Sequence, residues 1–337
     1  MRKIADLVAA GLIAPGDEAA LAAAAARFAV AVPPVLADLI DRDDPHDPIR
    51  RQFVPGTAEL ADLPEDRDDP IGDAAYSPVA GLVHRYPDRV LLKPILVCPV
   101  YCRFCFRREQ VGGGQAGLSA RQIDDALAYV AANPAISEVI VTGGDPLMLS
   151  AARIKSLTEK VAAIAHVETL RWHSRVPVAD PARVTPALVR ALRPPPGMGV
   201  WLAIHVNHPR ELSDPARAAL GRLADGGIPL LGQTVLLRGV NDDAAVLESL
   251  FRALIRNRVK PYYLHHPDRA RGTGHFRMTV AEGRALVRAL RGRLSGIAQP
   301  TYVLDIPGGA GKVPIAPDYW DAGSGTVEDW NGERHRY

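Results

Sequence analysis

Cysteine is scarce in this chain, with three in 337 residues. So small and odd a number excludes a disulfide scaffold and fits a reducing compartment. Net charge is nearly absent too: 40 Lys+Arg against 38 Asp+Glu leave +2. The whole-chain field therefore predicts no polyanionic partner such as nucleic acid. Aromatic residues make up 6%, too few for the basic, aromatic-rich surface of an RNA-binding module. No apolar run approaches the length of a bilayer span, and no basic segment followed by a hydrophobic stretch opens the sequence. A cytoplasmic protein without a membrane partner is expected. Hydrophobic content of 47% allows a large core in one or two domains.

The few cysteines are not scattered. Cys98, Cys102 and Cys105 fall in one window, Cys98-Pro-Val-Tyr-Cys102-Arg-Phe-Cys105. Three thiolates on a short loop can ligate three irons of a [4Fe–4S] cluster, leaving the fourth iron open to a small chelating molecule. A zinc site normally wants four protein ligands, and the nearest histidines, His84 and His166, are not at knuckle spacing. Three buried packing thiols are the alternative, although free cysteines used for packing scatter along a sequence.

The first third differs from the rest. Ala19–Val32 is alanine-dense and reads as a helix stopped by Pro33, while residues 41–70 are rich in charge and proline and read as a loop-rich connector outside the core. After Tyr86 strands and helices alternate. Strand-like runs cover Val90–Cys98, Glu138–Thr142, Glu168–His173, Gly199–Val206, Leu230–Leu236, Val259–His265 and Thr301–Ile306, with helical periodicity between them. Six strand-then-helix units in a row predict parallel strands with right-handed crossovers. Cys98, Gly143, His173, His205, Gln233, His265 and Asp305 all fall at or near strand C-termini. Those ends converge on one mouth in a barrel but spread apart in an open sheet. The expected fold is thus α/β, a partial (βα)6 TIM-like barrel. The expected divisions are an N-terminal helical and loop extension (1–75), the barrel (76–298) and a short C-terminal segment (299–337).

The turn after the second strand is Thr142-Gly143-Gly144-Asp145-Pro146. Glycines let a backbone approach a ligand, and the acid after them can bind an ammonium or hydroxyl. Alone it is an ordinary strand-to-helix turn; one unit after a three-cysteine loop it means more. Together these segments resemble the radical S-adenosylmethionine enzymes. That resemblance implies a cluster on Cys98, Cys102 and Cys105, with Phe104, Gly143, Gly144 and Asp145 contacting S-adenosylmethionine.

Further segments narrow the likeness: His84-Arg85-Tyr86-Pro87-Asp88-Arg89, Ser174-Arg175-Val176-Pro177, His205-Val206-Asn207-His208-Pro209, Gln233 through Asp242, Pro261-Tyr262-Tyr263, and Asp305-Ile306-Pro307-Gly308-Gly309-Ala310-Gly311-Lys312. In this order they resemble lysine 2,3-aminomutase from about residue 40 onward. The resemblance implies pyridoxal 5′-phosphate anchored on Lys312, with Arg85, Tyr86, Arg89 and Gln233 around its ring and phosphate. It implies Arg107 on the α-carboxylate of the amino acid and Asp268 with Asp305 on the far ammonium of L-lysine. Read without it, Lys312 is a lysine on a glycine turn, Arg85 and Arg89 are surface charges or ion pairs, and Asp268 is a solvated loop acid. His265 and His266 receive no role. The implied reaction is isomerisation, the 2-amino group moving to C3 to give β-lysine, with an electron donor such as flavodoxin or ferredoxin. The short form also resembles the branch that supplies (R)-β-lysine for elongation factor P. Another diamino acid stays open as substrate, as does a homo-oligomer. A non-catalytic iron–sulfur module is the reading from a different class. No structural zinc is expected, since no further cysteine exists to bind it.

Overall fold

The computed structural model describes residues 1–114 and 117–337. Nine strands form one sheet in sequential order: β1 (Leu82–Tyr86), β2 (Arg89–Ile95), β3 (Glu138–Gly143), β4 (Thr169–Ser174), β5 (Gly199–His205), β6 (Leu230–Val235), β7 (Val259–His265), β8 (Thr301–Ile306) and β9 (Gly311–Pro314). From β2 to β8 every neighbouring pair is parallel, while β1 and β9 close the two ends antiparallel. Helices cross between the parallel strands, among them Ala120–Ala131, Ala151–Ala162, Pro186–Leu192, Asp214–Asp225, Ala244–Arg256 and Val280–Leu290. Six strand–helix units followed by β8 make the expected partial barrel. Among the described residues the end strands share no ladder. They meet instead through a side chain: the Tyr86 hydroxyl on β1 accepts the backbone N–H of Lys312 on β9 at 2.6 Å.

Local sequence explains the element ends. Ser119, Ser150, Thr185, Ser213, Asp243 and Thr279 each cap the helix that follows them, accepting backbone N–H groups of its first turn. The apolar faces of these helices and the parallel strands share one large cluster around Trp172, Leu202, Leu250 and Tyr302. A second cluster joins the N-terminal helices through Leu12, Leu36, Ile49 and Phe53, and it includes Val100 of the cysteine loop. No helix among the described residues is long and apolar enough to cross a membrane.

Three local expectations differ from the structure. The first parallel strand ends at Ile95 rather than Cys98; Pro94 has no N–H to give the ladder, and the register slips between Leu92 and Ile95. Cys98 therefore sits in the loop. The alanine-rich helix ends at Arg27 rather than Val32, because Phe28 turns extended (φ −128, ψ 128) and lies under the Arg108 guanidinium at 3.4 Å. The connector over residues 41–70 is partly core: Ile49, Gln52, Phe53 and Glu59 are buried.

Glu59 does the most. Its carboxylate takes the Arg103 Nε at 2.9 Å and also binds Arg108, with all three side chains buried. Both arginines belong to the cysteine loop, so this acid fixes the loop from beneath. Glu59→Gln leaves two buried cations without their counter-charge. It is expected to cost about 3–5 kcal/mol of unfolding free energy, read by urea denaturation; a loss within about 0.5 kcal/mol, the usual size at exposed sites, would contradict that role.

Candidate functional site

The seven parallel strands deliver their C-terminal ends to a common cavity of about 470 Å³. Cys98, Cys102 and Cys105 line it, as do Arg85, Tyr86, Arg89, Phe104, Arg107, Gly143, Gly144, Asp145, Gln233, Asp268, Asp305 and Lys312. Every site residue expected from sequence thus reaches one chamber. The volume falls in the range of pockets that enclose small ligands.

The cysteine loop is built so that thiols and arginines part company. Arg103 donates its backbone N–H to Gln52 at 2.8 Å and its side chain to Glu59 and the Ala29 carbonyl. Burial pushes the Cys98 thiol far up and the Cys105 thiol to about 11, with the neighbouring thiols adding to both shifts. Burial also raises Cys102, though the Arg175 Nη1 at 3.0 Å from its sulfur opposes this. Three crowded thiols that resist ionisation suit a strongly cationic centre, which deprotonates the thiols it binds. Three thiols are also one ligand short of the four protein ligands of a closed zinc site. Among the described residues the trio whose ligand atoms close within 4.8 Å is Asp329, Glu333 and His335, in the C-terminal segment after Lys312. A multinuclear cluster fits the cysteines better than one zinc.

The glycine turn after β3 also packs within the protein. A Cβ at Gly143 would meet the Ile95 carbonyl at 2.5 Å, and one at Gly144 would meet the Val97 carbonyl at 2.5 Å. These glycines admit the backbone leading into the cysteine loop, which Gly144 N–H (2.7 Å to Ile95 O) and Asp145 N–H (2.9 Å to Val97 O) then pin. The Asp145 carboxylate is also spent within the protein. It accepts from the Ser174 hydroxyl at 2.7 Å and from the backbone N–H groups of Leu147, Arg175 and Val176. The carboxylate thus joins the ends of β3 and β4.

Arg175 was missed as a site residue. One guanidinium touches Cys102, Gln52 (2.8 Å) and Glu211 (2.5 Å), tying the N-terminal extension to the ends of β4 and β5. Phe104 packs edge-on against His205 at 5.6 Å and Phe276 at 6.0 Å. Burial, with the Arg175 charge beside it, holds His205 neutral.

Around the rest of the chamber charged groups gather on buried partners. Arg85 and Arg107 lie close together, both bonded at 3.1 Å to the buried Asp73. Arg89 stacks on Tyr86 at 3.9 Å and pairs with Asp88. Opposite in sign are Asp305 and Asp268. Asp305 is ion-paired to the Lys312 ammonium and faces His265 at 3.8 Å. Burial alone would raise Asp305, but His265 and Lys312 outweigh it and hold the carboxylate low. Asp268 has no such partner among the described residues, and burial followed by the Asp305 charge pushes it up to about 7. Gln233 faces the chamber beside a register slip in which Gly232 pairs Pro261 and Gln233 pairs Tyr263. That bulge stacks Tyr262 on Tyr263 at 3.8 Å, as bulges near sites commonly re-aim side chains. His173, given no role from sequence, also lines the chamber, with a buried Nε2 that finds no protein partner. Its position near a strand end was the available signal.

Comparison with known proteins agrees with this chemistry. Residues 92–250 match the family model described as the radical SAM superfamily, and residues 287–326 match that described as lysine-2,3-aminomutase. The L-lysine 2,3-aminomutase of Acetoanaerobium sticklandii is 41% identical over 307 residues, which span 91% of this chain and 74% of that protein. The L-lysine 2,3-aminomutase of Escherichia coli is 38% identical over 301 residues, 89% of this chain and 87% of that protein. The glutamate 2,3-aminomutase of Clostridioides difficile is 36% identical over 293 residues, 87% and 69% of the two chains.

The unpaired acid has a cost in stability. Between its ordinary value of 3.8 and about 7, the folded chain keeps a proton on Asp268 that the unfolded chain has released. Stability therefore falls as pH rises through that window. Asp268→Asn is expected to raise Tm by a few degrees at pH 8, with the gain fading toward pH 4. Thermal unfolding at both pH values checks this, and a Tm below wild type at pH 8 contradicts it.

Proposed function

Because the chain belongs to the lysine 2,3-aminomutase family of the radical SAM superfamily, we propose that it moves the 2-amino group of L-lysine to C3, yielding β-lysine. The observation that carries this reading is the convergence on one chamber of three thiols, of guanidinium groups gathered on Asp73, and of two aspartates beside a lysine. Such a chamber suits a molecule with a carboxylate at one end and an ammonium at the other. A glutamate substrate would bring its side-chain carboxylate against Asp268 and Asp305, so this pair favours lysine over the substrate named for the Clostridioides difficile relative.

In this reading Cys98, Cys102 and Cys105 hold a [4Fe–4S] cluster, and Phe104 with the backbone of Gly143 and Gly144 borders S-adenosylmethionine. Lys312 anchors pyridoxal 5′-phosphate, with Arg85, Tyr86, Arg89 and Gln233 about its ring and phosphate. When bound, these groups supply a carbon-centred radical that takes hydrogen and an electron-accepting ring that carries the amine. The chain's own residues bind and orient. Arg107 meets the α-carboxylate in fork geometry. Asp305, satisfied by the Lys312 ammonium in this structure, lacks a counter-ion whenever that amine carries no charge, and a substrate ammonium meets the need. Asp268 joins it once a cation lies between the two carboxylates, which lowers its affinity for a proton. His205 and His265, held neutral chiefly by burial, add no positive charge that would repel that ammonium. Val235, Leu237 and Phe276 line the wall and keep water from a reactive radical.

The deciding experiment is anaerobic: the iron-reconstituted chain is given pyridoxal phosphate, S-adenosylmethionine, a reductant and L-lysine, and β-lysine is sought by mass and chromatography. Formation of 5′-deoxyadenosine without β-lysine would sink the substrate assignment. Lys312→Ala is expected to abolish the pyridoxal absorbance while the iron chromophore stays; a variant retaining the pyridoxal band removes Lys312 as anchor. Since Asp268 must ionise to grip an ammonium, KM for lysine is expected to rise about tenfold from pH 8 to pH 6. A flat KM across that range contradicts its place in the clasp.

A further inference from the structure

Asp73 lies outside the chamber wall and bonds residues that form it. Its carboxylate takes Arg107 through both Nε and Nη2 at 3.1 Å, Arg85 at 3.1 Å and Lys93 at 3.3 Å, and it is 1% exposed. Two of these cations are those read above as meeting the substrate carboxylate and the pyridoxal phosphate. The turn bearing Asp73 is itself built with care. Asp69 accepts the backbone N–H groups of Asp73 (2.9 Å) and Ala74 (2.8 Å), and the Ile71 carbonyl takes Arg85 at 2.7 Å. On its other side the turn lies against the glycine loop that leads to Lys312. A Cβ at Gly72 would meet Gly308 backbone at 2.6 Å, and one at Gly309 would meet the Tyr76 ring at 2.5 Å. Residues 69–76 thus form a strap touching the arginine end and the lysine anchor at once.

Resting on the function proposed above, we propose that Asp73 is a positioning residue that orients Arg85 and Arg107 as a pair. Selection of the amino acid by its α-carboxylate and retention of the phosphate-bearing ring then depend on one buried side chain. The physical reason is geometric. A guanidinium recognises a carboxylate or phosphate as a planar fork, and the fork is useful only when held still. Three cations on one carboxylate also leave an excess of positive charge, which an incoming anion neutralises.

The test is Asp73→Asn, which keeps the shape and removes the charge. Loss of charge-assisted bonds to both arginines is expected to weaken pyridoxal phosphate binding about tenfold, read by absorbance titration of the iron-loaded chain without substrate, and to raise KM for lysine about tenfold. The inhibition constant of 1,5-diaminopentane, which has no carboxylate, is expected to stay within twofold, about the spread of ordinary surface changes. A merely structural role would move all three together. Wild-type values for both pyridoxal phosphate and lysine, or an equal loss for the diamine, overturn the proposal while leaving the functional reading intact. Failure of the wild-type chain to take up pyridoxal phosphate overturns both. Should Asp73→Asn not fold, Asp69→Ala loosens the strap and leaves the cluster's charges in place. It is expected to shift the two affinities in the same direction by about threefold, within the cost of losing a capping side chain, and unchanged affinities in it overturn the proposal.

Discussion

A loop that must present three thiols to a cavity has no ladder of its own to hold it, and buried carboxylates supply the frame instead. Glu59 holds Arg103 and Arg108, Glu211 holds Arg175, and Asp73 holds Arg107. Each acid lies outside the cysteine window, and each arginine lies within it, just after it or against one of its sulfurs. Pairing of this kind is a poor source of net stability, because desolvation offsets most of the attraction. What it provides is a unique geometry, since an unpaired buried charge is so costly that no rearranged loop competes. The thiols are placed because the arginines cannot be anywhere else.

The same constraint decides the chamber's polarity. Cations gather where Asp73 can serve them, and the Lys312 ammonium sits on Asp305. His173, His205 and His265 are kept neutral chiefly by burial and add no charge to this arrangement. A dipolar molecule entering such a space is oriented by charge before any shape is read.

Much of this was legible in the sequence, and the exceptions have a common cause. Strand–helix alternation is a local signal, so the ranges Val259–His265 and Thr301–Ile306 match the structure's element bounds. The cysteine spacing and the segment ending at Lys312 are likewise contiguous. Glu59, Asp73 and Glu211 stand 44, 34 and 36 residues from their arginine partners, in stretches where acids are common and nothing periodic marks one as buried. Gly143, Gly144 and Asp145 line the chamber, but their contacts within the protein were not legible. A glycine turn looks the same whether its missing side chain makes room for a ligand or for a neighbouring strand.

The seam between the two end strands differs in kind from every other join in the sheet. Elsewhere adjacent strands are zipped by repeated backbone bonds; there a phenol hydroxyl takes one amide, and a Cβ at Gly311 would meet that hydroxyl at 3.0 Å. That bond contributes about 1 kcal/mol net, and the strap of residues 69–76, bonded to Arg85 and packed on Gly308 and Gly309, covers the same join. The barrel is thus closed by side chains and turns, and the amide at its lip belongs to Lys312. The packing that shuts the wall is therefore also the packing that places the chamber's amine.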